Sequence, residues 1–210
     1  MFNKKYFSVA LCFLAVFLFW TWAVAAVDLQ AIGPEGSAVG FAGLNGFIHS
    51  LTGVHRELYV LTDRLSLIPL LLILSFGLLG LVQWIRRKSL RKVDRNLLTL
   101  GGFYLLTGGA YVFFEKCIIN YRPVLIEGIP EASYPSSTTM LVICVMSTAA
   151  MQLHARIKCS GLRNSIIFTI AAFSAFMVIA RLLSGVHWFT DIVGGVLLSS
   201  VLVMLYAAFK

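Results

Sequence analysis

The chain has 210 residues, of which 59% are hydrophobic and only 12% are charged, and its net charge is +8. This composition excludes an ordinary soluble globular protein and indicates a protein embedded in a membrane. No nucleic-acid-binding motif accompanies the positive charge, so we attribute that charge to membrane topology and to contact with anionic lipid, and expect no nucleic-acid partner.

Six apolar runs, uncharged apart from Asp191 in the last, are long enough to cross a bilayer as helices. They lie at about 6–27, 65–85, 97–114, 138–153, 165–180 and 190–209. We therefore predict an all-α, polytopic membrane protein whose residues 1–210 form a single membrane domain, a bundle of six transmembrane helices. The first run follows Lys4 and Lys5 like a signal peptide, but its apolar core is too long for one, and we expect it to remain as a helix. Cleavage would leave five spans.

Basic residues indicate the orientation of this bundle. Twelve of the 17 lysines and arginines fall on one side of a six-span arrangement: Lys4, Lys5, Arg86, Arg87, Lys88, Arg91, Lys92, Arg95, Arg156, Lys158, Arg163 and Lys210. The positive-inside rule makes that side cytoplasmic, with both termini on it. The connections after the first, third and fifth spans then lie at the outer face of the cell membrane.

The first outer connection, residues 28–64, begins rich in glycine and then acquires helical apolar spacing between Phe41 and Leu51. This spacing fits a helix lying in the membrane interface, where it would guide a lipid headgroup, or a cap packed over the bundle. The sequence leaves both interpretations open.

Two further outer segments carry polar groups suited to an anion. Lys116 and Arg122 follow the third span, and the run from Ser133 to Thr139 opens the fourth. Hydroxyls and free N–H groups at a helix N-terminus form a natural anion site. The simpler alternatives are snorkelling anchors for the two cations and an ordinary N-cap for the hydroxyls.

The strongest signal lies between the fifth and sixth spans, where Arg181, His187 and Asp191 interrupt an apolar stretch. Ionisable groups at such positions usually have a function. An aspartate one helical turn after the histidine can fix the imidazole tautomer, and the arginine can hold a phosphate. A purely structural buried ion pair is the alternative, although it rarely requires the histidine.

Taken together, three cations, a helix N-terminus and an oriented histidine suit phosphoryl transfer through a phosphohistidine. We expect no metal and no cofactor, because the cations neutralise the phosphate and the outer segments lack a carboxylate cluster. The partners we expect are a lipid substrate and the bilayer, whereas the sequence leaves the oligomeric state open.

The order of these segments resembles the type 2 phosphatidic acid phosphatase superfamily of membrane lipid phosphatases, over residues 57–210. Residues 1–56 would add the first span and the interfacial segment. The family carries a Lys...Arg-Pro motif, a Pro-Ser-Gly-His motif and an Arg-x5-His-x3-Asp motif. The third motif is intact here, so the resemblance implies His187 as nucleophile, Asp191 as its orienter and Arg181 as a phosphate ligand.

The first two motifs depart from the family pattern. Lys116 lies one residue too close to Arg122, with Glu115 at the expected lysine position. In the second motif Ser136 and Ser137 can still bind phosphate, but Thr138 stands where the family has its histidine, the general acid. The resemblance therefore implies Lys116, Arg122, Ser136, Ser137 and Arg181 as phosphate-binding residues, and an altered acid at Thr138.

Threonine cannot protonate a leaving group near neutral pH. A lipid diphosphate expels a stable phosphate, whereas a monoester expels a basic alkoxide, so we expect diphosphates such as undecaprenyl diphosphate to be preferred. His55 or Glu131 is an alternative proton donor. A non-catalytic relative that binds lipid headgroups or organises a membrane complex is the main competing function, and a transporter fits less well.

Overall fold

The fold is a bundle of helices, seen in a computed structural model that describes residues 2–126 and 128–210. In chain order the helices are α1 (Lys4–Ala26), α2 (Ala42–Thr52), α3 (Arg56–Leu65), α4 (Leu67–Arg87), α5 (Arg95–Lys116), α6 (Ser137–Arg156), α7 (Ser160–Leu183) and α8 (Phe189–Phe209). Six helical stretches are long and apolar enough to cross a membrane, and α3 with α4 forms the second of them. The predicted all-α, six-span class is confirmed.

The second crossing begins earlier than its apolar run predicts. Its helical stretch starts at Arg56, whereas the uncharged run starts near residue 65. The added turns of α3 contain Arg56, Glu57, Asp63 and Arg64, which interrupt any apolar window. Helical backbone angles at Ser66 (φ −65°, ψ −13°) join α3 to α4, so the polar turns extend the crossing beyond its apolar part.

Helices α1 and α6 begin at an N-cap residue whose side chain satisfies free backbone N–H groups. Asn3 Oδ1 accepts from the backbone N–H groups of Lys5 and Tyr6, at 3.1 and 3.4 Å. Ser136 Oγ accepts from the N–H of Thr139 at 3.5 Å. These caps fix the starts of α1 and α6.

Helix α8 forms the centre of the bundle. It packs along α1 and α6, and its buried side chains include Leu198, Leu202 and Tyr206. The peripheral helices α4 and α7 instead expose large apolar side chains, such as Leu74 at 67% and Phe168 at 75%. A bundle that is apolar both inside and outside is suited to a lipid environment.

The two ends of the bundle differ in what they carry. The chain termini meet at one end, which we call the terminal end, because the backbone N–H of Asn3 donates to Ala208 O at 2.9 Å. The opposite end, the connection end, carries residues 27–55, 117–126, 128–136 and 184–188. The backbone N–H of His55 donates to Ser184 O at 3.0 Å and ties the first of these segments to the third.

Close packing at the connection end depends on a glycine in the turn between α7 and α8. Gly185 has φ +69°, and a Cβ at this position would collide with the carbonyl group of Gly53. Only glycine adopts this conformation without strain and also leaves room for the neighbouring backbone. The turn that leads to His187 is therefore held against residues 53–55.

Helix α2 packs on α8 through one polar side chain. Asn45 is buried, its amide nitrogen donates to Thr190 Oγ1 at 3.0 Å, and its oxygen accepts from the Thr190 N–H at 3.2 Å. On the other face of α2, Phe47 is 61% exposed and Leu51 is 69% exposed. Helix α2 therefore packs over the bundle through Asn45 and exposes an apolar face on its other side, while a role in guiding lipid headgroups stays a prediction.

Candidate active site

The residues of the Arg-x5-His-x3-Asp motif lie buried at the connection end. Arg181 belongs to the last turn of α7, His187 to the turn that follows, and Asp191 to the first turn of α8. Their exposed fractions are 2%, 3% and 0%. Ionisable groups buried this deeply in a membrane bundle point to a functional centre.

The neighbours of His187 determine which ring nitrogen carries the proton. Nε2 lies 3.4 Å from Nη1 of Arg122, and Nδ1 lies 3.0 Å from Oγ of Ser133. A guanidinium can only donate, so Nε2 accepts and the proton of the neutral ring belongs on Nδ1. The lone pair of Nε2 therefore faces Arg122.

Asp191 does not bond directly to the imidazole. The closest approach of its Oδ2 to Nδ1 of His187 is 3.8 Å, beyond hydrogen-bonding range. Asp191 Oδ2 instead accepts from the Ser133 hydroxyl at 2.5 Å and the Trp188 N–H at 2.9 Å, and Oδ1 accepts from Asn120 at 3.2 Å. The sequence predicted a direct orienter, whereas here the Ser133 hydroxyl lies between the two groups.

Arg122 reaches His187 from the connection between α5 and α6. Its backbone N–H donates to Glu131 O at 3.0 Å, beside a backbone bridge between Tyr121 and Ala132. Glu131 Oε2 also lies 3.0 Å from Arg122 Nε, but off the direction of the N–H, so this ion pair leaves the N–H without a hydrogen bond. The paired backbone turns the guanidinium of Arg122, which is 8% exposed, towards the imidazole.

Arg181 is held by two residues of α3. Its Nη1 donates to Thr62 Oγ1 at 3.1 Å, and its guanidinium carbon lies 4.7 Å from the ring centroid of Tyr59. The second contact is a cation–π interaction. Together these contacts fix the direction of the guanidinium, and they explain why the second crossing extends beyond its apolar run.

The two arginines retain donors that the protein does not use. Nε of Arg122 and Nε of Arg181 are buried and have no hydrogen-bond partner among the described residues. Buried unpaired donors are costly and call for a ligand or another explanation. Arg181, with an unpaired Nε–H, and Arg122, whose Nη1 faces the neutral imidazole, together form a suitable site for an oxyanion.

The same surroundings keep the imidazole neutral. Burial is the main cause that holds the pKa of His187 well below its ordinary value of 6.5, and the positive charges of Arg122 and Arg181 add to it. A neutral ring, with one nitrogen unprotonated, is the nucleophilic form of histidine. A ring in this form can act as a nucleophile through Nε2 once the contact with Arg122 is released.

The predicted serine and threonine ligands lie at the start of α6. Ser136 is buried, and its backbone N–H donates to Asp191 O at 3.0 Å while its hydroxyl caps the helix. Ser137 and Thr138 are partly exposed and line an apolar cleft between α4, α5 and α6. Within the described ranges, no hydrogen bond joins Thr138 to His187, so the binding roles of these three residues stay predictions.

Lys116 lies apart from this group of residues. It is the exposed last residue of α5, and it forms no hydrogen bond or ion pair with the described residues of the site. Glu115, at the position where the family has lysine, lines a small cleft with Ser133 and Ser137. The structure thus brings together Arg122, Arg181, His187 and Asp191, and a phosphate contact by Lys116 stays a prediction.

Sequence reasoning did not assign a role to four residues that hold the centre. Ser133 and Asn120 lie inside the polar segments that the sequence singled out, but their common partner Asp191 is 58 and 71 residues away. Tyr59 and Thr62 lie in α3, more than 100 residues before the arginine that they hold. No local pattern specifies such distant pairs.

No potential metal centre is found in the part of the chain that the structure describes, where no three histidine, cysteine, aspartate or glutamate side chains lie close enough together.

The sequence is similar to those of known proteins. The family model of the PAP2 superfamily matches residues 96–210, more than half of the chain. Phosphatidylglycerophosphatase B of Bacillus subtilis (strain 168) is 26% identical over 196 residues, which cover 93% of this chain and 93% of that relative.

A solved structure shares the fold. The chain matches the crystal structure of the first transmembrane PAP2 type phosphatidylglycerolphosphate phosphatase from Bacillus subtilis with a TM-score of 0.65 and 19% sequence identity. The match covers 96% of this chain and 95% of the other. At this identity the likeness concerns the arrangement of the helices.

Proposed function

The chain belongs to the PAP2 superfamily of membrane phosphatases, and from this premise we propose that it hydrolyses a lipid phosphate or, preferentially, a lipid diphosphate such as undecaprenyl diphosphate. The observation that carries the proposal is the distance of 3.4 Å between Nε2 of His187 and Nη1 of Arg122, which places the unprotonated ring nitrogen beside a cation. Arg181 supplies the second cation. Superfamily membership favours this activity over a role in headgroup binding alone.

The proposed reaction has two steps. The Nε2 lone pair attacks phosphorus, and the bond from phosphorus to the leaving oxygen breaks with its electrons on that oxygen. The ring keeps its Nδ1 proton and becomes a cationic phosphohistidine, while the lipid product departs. Water then attacks phosphorus, the P–N bond returns its electrons to Nε2, and inorganic phosphate is released.

The two arginines would bind the phosphoryl oxygens during both steps. The unpaired Nε–H of Arg181 and the Nη donors of both guanidinium groups can bind these oxygens in place of the present contact between Arg122 and Nε2. Such preorganised donors stabilise the charge that develops on the transferred group. The contact of Arg122 with His187 would then pass to the substrate, which leaves the nucleophilic lone pair free.

Preference for a diphosphate follows from the residue at the acid position. Thr138 offers a hydroxyl that cannot act as an acid near neutral pH, so a basic alkoxide would leave slowly. A diphosphate needs less help, because its leaving group is a lipid phosphate whose negative charge is already stable. The preference thus rests on leaving-group chemistry.

An apolar cleft supports a lipid as the substrate. Two adjoining cavities of about 390 and 540 Å³ share Ile73 and Tyr104, and they extend from Ser137 and Thr138 to Trp84. Helix α4 lines both cavities, and its 18-residue rise from Ser66 to Trp84 corresponds to roughly 27 Å, close to the thickness of the hydrocarbon core. A long apolar tail could lie in this cleft with its headgroup near the start of α6.

The proposal includes an orientation in a bacterial cell membrane. The twelve basic residues at the terminal end lie at the chain termini, in the connections α4–α5 and α6–α7, and in the helix ends beside them. The positive-inside rule makes the terminal end cytoplasmic, with both termini there. The active site would then act on lipid headgroups in the outer leaflet.

A comparison of substrates tests the proposed preference. Purified protein would be assayed for phosphate release from undecaprenyl diphosphate, undecaprenyl phosphate, phosphatidate and phosphatidylglycerophosphate, with His187→Ala as the blank. We expect the diphosphate to turn over fastest. Equal rates, or faster turnover of the monophosphates, would remove the leaving-group argument.

Replacing the residue at the acid position tests the cause of the preference. Thr138→His should raise turnover of the monoesters by up to the roughly 10²- to 10⁴-fold that general acids contribute, and turnover of the diphosphate by less. Thr138→Val serves as the control, since it removes the hydroxyl without supplying an acid. If Thr138→His leaves the monoester rates unchanged, another residue supplies the proton.

A further inference from the structure

Ser133 lies between His187, the proposed nucleophile, and Asp191, the carboxylate expected to orient it. Its Oγ lies 3.0 Å from Nδ1 of His187 and 2.5 Å from Oδ2 of Asp191, while those two atoms are 3.8 Å apart. All three side chains are buried, at 3%, 3% and 0% exposed. The hydroxyl therefore occupies the position of a direct bond between histidine and aspartate.

The direction of each hydrogen bond follows from the donors available. Arg122 donates to Nε2, so the imidazole proton is on Nδ1 and is directed at Ser133 Oγ. Ser133 has a single proton, which it gives to the carboxylate of Asp191. The result is a one-way chain from Arg122 through His187 and Ser133 to Asp191.

The carboxylate is well placed to fix the direction of the serine. Asp191 also accepts from Asn120 at 3.2 Å and from the Trp188 N–H at 2.9 Å, so its own orientation is set by two donors other than Ser133. The backbone N–H of Ser133 donates to Asn120 O at 2.9 Å, which holds the serine against the same group. Rotation of the hydroxyl would break its bond to the carboxylate and remove the acceptor that faces Nδ1–H of the imidazole.

We propose that Ser133 is a positioning residue of this phosphatase, through which Asp191 orients His187 and stabilises the positive ring that phosphorylation creates. The proposal rests on His187 as the proposed nucleophile. As the P–N bond forms, the ring becomes cationic and its Nδ1–H bond to Ser133 strengthens, since charge-assisted hydrogen bonds are the stronger ones. No proton needs to leave the ring or the serine in this step.

A double-mutant cycle between Ser133 and Asp191 tests the relay. Ser133→Ala should lower kcat by roughly 10- to 100-fold and should change KM little. A loss of this size is typical when a residue that orients a metal-bound histidine is removed, and we expect a similar loss for an oriented nucleophilic histidine. Asp191→Asn should lower kcat further. The double variant should be no slower than Asp191→Asn alone, because residues that act as a unit are not additive.

Two further variants separate the hydroxyl from the shape of the side chain. Ser133→Cys keeps the volume but is a weak donor and acceptor, so it should lose activity as Ser133→Ala does. Ser199→Ala removes another buried hydroxyl. Ser199 lies on α8 about two turns after Asp191, and it donates to Gly195 O at 2.6 Å. We expect this control to keep wild-type activity.

The outcomes distinguish this inference from the proposed function. If the wild type releases no phosphate from any lipid, the proposed function fails and the relay fails with it. If the wild type is active, the relay alone is overturned when Ser133→Ala or Ser133→Cys keeps the kcat of Ser199→Ala. Multiplicative losses in the double variant would overturn it as well, because they would show that Ser133 acts independently of Asp191.

Discussion

The Nη1 atom of Arg122 lies 3.4 Å from Nε2 of His187, although 65 residues separate them in the chain. An arginine can only donate, so this contact identifies Nε2 as the nitrogen with the lone pair. The residue that would bind the substrate phosphate therefore also fixes the form of the nucleophile. This dual role makes Arg122 sensitive even to replacement by another cation.

Replacing Arg122 with lysine should lower kcat/KM by on the order of 10²-fold, since one preorganised donor at a developing charge contributes about this much. Lysine keeps the positive charge but loses the planar set of donors that can bind two oxygens. The measurement is phosphate release from a lipid diphosphate, with Arg91→Lys, an exposed residue at the terminal end, as control. If Arg122→Lys has the same kcat/KM as the wild type, a positive charge at this position is enough for phosphate binding and the planar donors are not needed.

The contact between Thr62 and Arg181 should be needed for activity. Thr62→Val keeps the shape of the side chain but removes the acceptor 3.1 Å from Arg181 Nη1. Hydrogen bonds to charged groups contribute about 1.5–3 kcal/mol, so kcat/KM should fall by roughly tenfold or more. Thr62→Ser keeps the hydroxyl, so its kcat/KM should remain close to that of the wild type. Equal kcat/KM values for the two variants would show that the hydrogen bond between Thr62 and Arg181 does not contribute to activity.

The aromatic ring of Tyr59 is expected to matter more than its hydroxyl. The ring lies 4.7 Å from the guanidinium carbon of Arg181, and a desolvated cation–π contact contributes about 2 kcal/mol. Tyr59→Leu should therefore weaken substrate binding, seen as a higher KM, while Tyr59→Phe should not. A raised KM in Tyr59→Phe would assign the effect to the hydroxyl instead.

Stability should depend on pH through His187. Its pKa in the folded protein lies well below 6.5, mainly because of burial, so below pH 6.5 the unfolded chain binds a proton that the folded chain does not. The stability contributed by the neutral ring is full above pH 6.5 and declines as the pH falls towards the folded pKa. For one proton the decline is at most about 1.4 kcal/mol per pH unit.

Thermal unfolding in detergent measures this effect. The unfolding temperature of the wild type should fall more steeply than that of His187→Asn between pH 6.5 and about 5, the range in which histidine titrates. Because the two proteins are compared by the slope of unfolding temperature against pH, a loss of stability that the substitution causes equally at every pH does not affect the result. Parallel slopes would mean that the buried ring is not held neutral.

Gly185→Ala should destabilise the protein and abolish most of its activity. The position has φ +69°, and a Cβ would collide with the carbonyl group of Gly53. Strain of this kind costs about 1–3 kcal/mol and would move the turn that carries His187. Gly109→Ala in α5 meets open space and should be tolerated, so unfolding temperatures of the two variants provide the test.

Local patterns in the sequence were sufficient to predict the six crossings and the grouping of Arg181, His187 and Asp191. Crossings appear as apolar runs, and the three residues lie within one turn and its flanking helix ends. The helix α3 that leads into the second apolar run was not predicted, because it contains charged residues and its Tyr59 and Thr62 contact Arg181 only in the folded chain.

The polar contacts of the centre could not be predicted in the same way. Ser133 belongs to a run of hydroxyls, any of which could have faced the phosphate, and only the folded connection brings it between His187 and Asp191. Ser136, in the same run, bonds through its backbone to Asp191 O. Assigning partners within a hydroxyl run requires the path of the chain, which spacing does not supply.

The central claim is that Nε2 of His187 receives the phosphate during turnover. Wild-type protein would be incubated briefly with a lipid diphosphate radiolabelled at its terminal phosphate. The reaction would be quenched in alkali, where phosphohistidine survives, and the labelled peptide would then be mapped. We predict label on His187 of the wild type and none in His187→Ala. Phosphate release by the wild type with no label on His187, or with label on another residue, would contradict the account.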